Sequence, residues 1–230
     1  LFGSENLGNA WKTLFTDTSR NQYIFSVAPG QAGWIYLFNQ TSGLLRRSKD
    51  FGASWETVAQ IAIPNPATLV VSHDDPLKLW LGGNGLYSSP DGGLNWTERS
   101  SGLGGRSIVL KANPDQAGDI YLEYGDQYRT CVLYHSSDGG TLWQNITSSD
   151  KSCYIEFAQG GAKIYSSSRN GIVLSSTDSG KTWNYAFQLP GDALKVKPDP
   201  LKDNIVFAVN NGVRSWVSAD TQRSWSSSDL

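Results

Sequence analysis

Ser176-Thr177-Asp178-Ser179-Gly180-Lys181-Thr182-Trp183 decides the fold, because its frame, Ser-x-Asp-x-Gly-x-x-Trp, recurs along the whole chain. The frame is intact at Ser48 to Trp55 (SKDFGASW), at Ser89 to Trp96 (SPDGGLNW) and at Ser136 to Trp143 (SSDGGTLW). Two eroded copies flank these. Ser4 to Trp11 has Asn6 at the acid position, and Ser218 to Trp225 has Gln222 where the glycine belongs. Trp11, Trp55, Trp96, Trp143, Trp183 and Trp225 are spaced by 44, 41, 47, 40 and 42 residues. That period is the length of one four-stranded propeller blade. It predicts an all-β, single-domain propeller over 1–230, with repeats near 12–55, 56–96, 97–143, 144–183 and 184–225.

The frame has a local physical reading. Its acid, Asp50, Asp91, Asp138 or Asp178, heads a tight turn and can accept hydrogen bonds from the backbone N–H groups ahead of it. Its glycine supplies a backbone angle that other residues resist. The serine closes one strand, and the tryptophan (Trp55, Trp96, Trp143, Trp183) opens the next and buries a large ring between neighbouring sheets. These motifs resemble the Asp boxes of BNR-repeat β-propellers, as found in sialidases, two-domain xyloglucanases and Vps10/sortilin-type sorting receptors. The resemblance covers almost the whole chain. It implies that the boxes are structural and lie on the face away from the ligand.

Composition fits many short strands joined by tight turns: 9 Trp, 10 Tyr, 8 Phe and 24 Gly, with 17% charged residues. Nineteen basic and 21 acidic residues are mixed along the chain, giving a net charge of −2. Without a basic stripe, nucleic acid is not an expected partner. The longest apolar runs are strand-sized, so no membrane span is expected. The chain has no Met and no signal peptide, which reads as a processed or excised mature fragment. Sequons at Asn39 (NQT), Asn95 (NWT) and Asn145 (NIT), with two cysteines, point to a secreted or lumenal, glycosylated protein.

Between frames, each repeat offers strands A, B and C before the D strand that the tryptophan opens. The third repeat gives A at Ser107 to Ala112, B at Asp119 to Tyr124 and C at Cys131 to Ser136; the fourth gives A at Tyr154 to Ala158, B at Ala162 to Ser166 and C at Ile172 to Ser175. Asn84-Gly85, Asn170-Gly171 and Asn211-Gly212 read as hairpin turns between B and C. Only about five residues follow Trp225, so the spare strand Trp11 to Phe15 is expected to dock beside the last blade and close a five-bladed ring. The competing expectation is part of a longer propeller.

Cys131 opens a C strand and Cys153 the next A strand on the same face, so a disulfide between them is geometrically sensible and would add a few kcal/mol. Neither cysteine has metal-ligand spacing and only His73 and His135 are present, so no metal, cofactor or His-dependent triad is called for. Sialidase-type propellers carry an Arg-Ile-Pro motif, whereas Ile61-Ala62-Ile63-Pro64 here lacks the arginine. The richest candidate binding stretch is the long loop Glu123, Tyr124, Gly125, Asp126, Gln127, Tyr128, Arg129, with Arg20, Arg106 and Arg169 on the same face. Its aromatic faces can stack on sugars or peptide side chains, and its charged groups can orient hydroxyls or a carboxylate. The sequence therefore leads to a non-enzymatic binding propeller for a glycan or peptide. A fragment of a Vps10-like receptor and an Asp-box glycoside hydrolase are the alternatives.

Overall fold

The computed structural model describes residues 1–6, 8–101, 103, 108–125, 131–148, 154–168, 170–190, 195–199, 202, 204–209, 214–220 and 222–229. They form two compact units, Leu1–Ser101 and Gly102–Leu230. In the first, β1 (Phe2–Gly3) pairs with β2 (Lys12–Thr13). One four-stranded antiparallel sheet follows from β3 (Tyr23–Val27), β4 (Ile35–Asn39), β5 (Leu44–Ser48) and β6 (Glu56–Gln60), and another from β7 (Thr68–Val71), β8 (Leu79–Gly82), β9 (Leu86–Ser89) and β10 (Thr97–Glu98). The second unit holds three such sheets. The first of these is β11 (Ile108–Ala112), β12 (Ile120–Gly125), β13 (Cys131–Ser136) and β14 (Gln144–Asn145). Next come β15 (Tyr154–Ala158), β16 (Lys163–Ser167), β17 (Ile172–Ser176) and β18 (Asn184–Gln188), then β19 (Lys195–Pro198), β20 (Val206–Val209), β21 (Arg214–Ser218) and β22 (Ser226–Asp229). In every sheet the strands lie in chain order. Among the described residues no helix is long and apolar enough to cross a membrane.

Each sheet is set by its second strand. β4 (IYLFN) and β8 (LWLG) are buried at every residue, as expected for strands covered on both faces. In the first unit Tyr36, Phe38, Leu45, Leu69, Val71, Leu79 and Leu81 pack into one cluster between the two large sheets. The second unit has two seams of the same kind: Tyr121, Leu133, Ile146, Ile155 and Ile164, and then Tyr165, Val173, Phe187, Val196, Val206 and Trp216. Each fully buried Leu, Ile or Phe contributes roughly 1.5–3 kcal/mol.

The repeated frame forms one and the same corner at every copy. Ser176 Oγ donates to Asp178 Oδ1 (2.7 Å) and accepts the Gly180 N–H (2.9 Å), while Asp178 Oδ1 accepts the Thr182 N–H (2.9 Å). The eroded copies keep the pattern: Asn6 Oδ1 accepts the Ala10 N–H (2.7 Å), and Ser218 Oγ accepts the Gln222 N–H (3.0 Å). Hydrogen bonds from Thr182 and Ser176 hold the Asp178 carboxyl down at about 2, and those from Ser54 do the same for Asp50. At two copies the indole also reaches back to the preceding strands, whereas Trp96 Nε1 donates to Gly93 O of its own corner (2.9 Å). Trp55 Nε1 donates to Leu14 O and Trp183 Nε1 to Ile146 O, both at 2.8 Å. Gly93, at φ +97°, sits so close to the previous sheet that an added Cβ would lie 2.2 Å from Leu45 Cδ2.

Two expectations need correction. Ser226–Asp229 forms the fourth strand of the last sheet, pairing with Arg214–Val217; four residues suffice for a strand, so that sheet does not borrow Trp11 to Phe15. Lys12–Thr13 pairs instead with Phe2–Gly3, and Trp11 is 65% exposed. The hairpin read at Asn84-Gly85 does join β8 to β9, although neither residue is left-handed as in a type I′ turn. That turn is held by Gly83 N–H to Gly85 O (2.9 Å) and by the Ser100 hydroxyl on the Leu86 N–H (2.9 Å). Asn211-Gly212 lies outside the described residues.

Gln222 adopts φ +65° and buries a side-chain amide nitrogen with no partner among the described residues. Replacing it by glycine relieves a left-handed strain of about 1 kcal/mol. Gly93→Ala adds both that strain and overpacking, together roughly 2–4 kcal/mol. Urea unfolding is expected to show Gln222→Gly more stable and Gly93→Ala less stable than the parent; equal shifts in one direction would refute the corner geometry.

Candidate functional site

The candidate site lies on the leading strands of the second unit, β11, β15 and β19, and on the neighbouring β12. Strand alternation puts Val109 and Lys111 of β11 on one face, opposite Glu123 and Tyr121 of β12. The same alternation aligns Tyr154 with Glu156 on β15, and Lys195 with Lys197 on β19. Glu156 joins the three strands: its Oε1 accepts from Lys111 Nζ (2.6 Å) and its Oε2 from Lys197 Nζ (2.8 Å). Lys195 Nζ lies over the Tyr154 ring, 5.0 Å from its centroid. The row runs from covered to open: side-chain exposure is 19% at Glu156, 24% at Lys111 and 70% at Lys197.

Glu123 stands behind this row. Its Oε1 accepts the Ile155 N–H (2.7 Å) and lies 4.0 Å from Lys111 Nζ. Burial raises its carboxyl to about 7, because desolvating the charged form outweighs the pull of Lys111 and the Ile155 N–H. Near neutrality Glu123 is therefore partly protonated. With Lys111, Lys195 and Lys197 set against Glu156 and a partly protonated Glu123, the row is a net positive surface beside the exposed Val109 and Phe207.

The structure bears out strand B, read from Asp119 to Tyr124, and shortens the loop read from Glu123. Glu123, Tyr124 and Gly125 belong to β12, and Gly125 pairs with Cys131 across the hairpin. Successive strand residues point to opposite faces, so Glu123 and Tyr124 do not form one platform. Asp126, Tyr128, Arg129, Arg106, Arg169 and Cys153 lie outside the described residues, as does the Cys131 side chain. Arg20 is an exposed residue of the first unit, just before β3. The Asn39 expectation fails on burial: it is 3% exposed, with Oδ1 accepting the Thr41 and Ser42 N–H groups and Nδ2 donating to Tyr23. A glycan cannot occupy that nitrogen while the turn is formed. Asn95 and Asn145 are exposed.

Lys111, Glu156, Lys195 and Lys197 were absent from the sequence-based candidates. A signal existed: Lys111, Glu156 and Lys197 fall 15, 13 and 14 residues after Trp96, Trp143 and Trp183. Equivalent places on successive leading strands carry charge where a strand core would carry an aliphatic residue.

No protein-family model matches the chain. A xyloglucanase from a Paenibacillus species is 25% identical over 182 residues, covering 73% of this chain and 15% of that protein. Among solved structures, an ancestral GH74 enzyme aligns with a TM-score of 0.70 at 19% identity, covering 89% of this chain and 30% of that one. The fold is that of a β-propeller. The GH74 xyloglucanase from Xanthomonas campestris gives 0.67 at 20% identity, over 89% of this propeller chain and 38% of its own. YCF48 bound to D1 peptide gives 0.69 at 17% identity, over 96% and 72% respectively. The chain thus spans well under half the length of the xyloglucanase propellers that it matches.

The raised Glu123 carboxyl has a signed consequence. A folded-state value of about 7 against 4.5 unfolded leaves no penalty below pH 4.5 and a growing one as pH rises through 7. Glu123→Gln removes that penalty, so the variant is expected to gain on the parent by up to about 3 kcal/mol at pH 8 and to match it near pH 4.5. Urea unfolding across this range checks it, and a pH-independent difference would contradict the assignment.

Proposed function

We propose that this chain is a recognition propeller that holds an acidic peptide segment along the leading strands of its second unit, its frame corners being Asp boxes that take no part in holding that peptide. The observation that carries the reading is the Lys111–Glu156–Lys197 row, joined at 2.6 and 2.8 Å and opening to solvent at Lys197. Neutral glucans are held mainly by aromatic faces, and the aromatic ring of this row, Tyr154, is already covered by Lys195. Ammonium groups and edge-exposed valine and phenylalanine suit a peptide bearing carboxylates and apolar side chains. The likeness to YCF48, solved with a peptide bound, fits this use of the fold.

A second reading is a glycoside hydrolase. It is favoured by the xyloglucanase match and by a carboxyl that burial raises to about 7, Glu123, close to a second carboxyl, Glu156. One experiment separates the two: fluorescence polarisation with acidic, neutral and basic peptides, alongside incubation with xyloglucan oligosaccharides. Acidic peptides are expected to bind, and to weaken about tenfold, or roughly 1.4 kcal/mol, in Lys197→Ala. That variant alters an exposed side chain and leaves Glu156 paired with Lys111. Binding indifferent to Lys197, or cleavage of the oligosaccharides that Glu123→Gln abolishes, would overturn the peptide reading.

A further inference from the structure

The frame corners were expected to lie away from any ligand, yet one seam of the second unit opens a cavity beside them. It measures about 380 Å³ and lies where the corner between β13 and β14 meets the corner between β17 and β18. At its floor Asp119 and His135 form a buried pair, 1% and 7% exposed. Asp119 Oδ1 is bonded to His135 Nε2, and its Oδ2 accepts from Asn113 Nδ2 (2.8 Å). The Tyr121 ring lies on the imidazole, with centroids 4.6 Å apart.

This bonding decides what the cavity can recognise. Both Asp119 oxygens are taken, so it offers no free carboxylate. As acceptor it fixes the imidazole hydrogen on Nε2, leaving Nδ1 as the remaining polar atom of His135. Around the floor stand the amides of Gln116 and Gln144 and the Ser137 hydroxyl. Each of these both donates and accepts hydrogen bonds, the pattern that alcohol hydroxyls match and simple ions do not. Lys181 and Asp138 bring opposite charges to the same wall, so neither sign of ion is favoured. Leu142, 74% exposed, offers an apolar patch for C–H groups. The volume falls within the range of small-molecule sites.

We infer that this cavity binds a small neutral polyhydroxylated molecule, about one sugar ring in size, through Gln116, Gln144, Ser137 and the Asp119-oriented His135. The site is separate from the leading-strand row and does not depend on the peptide reading. Saturation-transfer NMR with the methyl glycosides of glucose, galactose, mannose and xylose tests it. Transfer to the ring protons of at least one glycoside is expected, reduced fivefold or more in Gln116→Ala/Gln144→Ala, whose exposed positions leave the core intact. A His135→Gln variant that keeps the parent's melting profile is expected to lose the same signal. The inference fails if no glycoside shows transfer up to about 50 mM, a limit set by the weakest affinities worth calling a site. It fails equally if transfer survives undiminished in the double variant, or if inorganic phosphate displaces the glycoside competitively.

Discussion

Ser176 Oγ is bonded in two directions at once, to Asp178 and to the Gly180 N–H, and that closed corner fixes where Trp183 goes. Once the corner is set, the indole can reach only the end of the preceding sheet, where its N–H meets Ile146 O. Gly180 has to lack a side chain for the same reason, since a Cβ there would lie 2.6 Å from Ile146 Cδ1. At this corner a purely local turn thus carries a longer-range instruction: it joins the sheet β15–β18 to the end of the sheet before it. The corner charge is kept exposed and well hydrogen-bonded, so it costs little desolvation.

The seams that these corners create are graded. Between the sheets β11–β14 and β15–β18 the contacts run from the ion pair of Lys111 and Glu156, through Glu123 on the Ile155 N–H, to the Tyr121–Phe157 edge contact at 5.4 Å, and then to Asn113 Nδ2 on Gly161 O (3.3 Å), beside the Asp119–His135 pair of the first sheet. The middle is apolar and supplies stability; both ends are polar and reach solvent. Function is therefore available at two ends of a single seam without disturbing its core. Burying Glu123 at the inner end also lowers the negative charge of the row beside it, because desolvation raises its carboxyl to about 7.

Much of this architecture could be read from the residues. The tryptophan spacing and the Ser-x-Asp-x-Gly frame located the corners, and strands such as Cys131–Ser136 and Tyr154–Ala158 fell where alternation put them. The corner survives at Ser218 to Trp225 because Gln222 can adopt the required angle at a modest cost. The site was less legible. Glu123 and Tyr124 were read both as the end of strand B and as the start of the loop after it, and backbone pairing carries β12 through Gly125. The Lys111–Glu156–Lys197 row spans three repeats, and no single repeat reveals it. Asn39 satisfied a sequon while its side chain was needed to hold the turn before Gly43.

The claim on which the account depends is that the Ser176 to Trp183 corner secures the sheet before it as well as its own. Hydrogen–deuterium exchange on a Trp183→Leu variant measures this directly. Protection is predicted to fall together in 144–148, where Ile146 O loses its indole partner, and in 184–188, with 214–218 and 226–229 much less affected. Loss confined to 184–188, with 144–148 as protected as in the parent, would contradict the account.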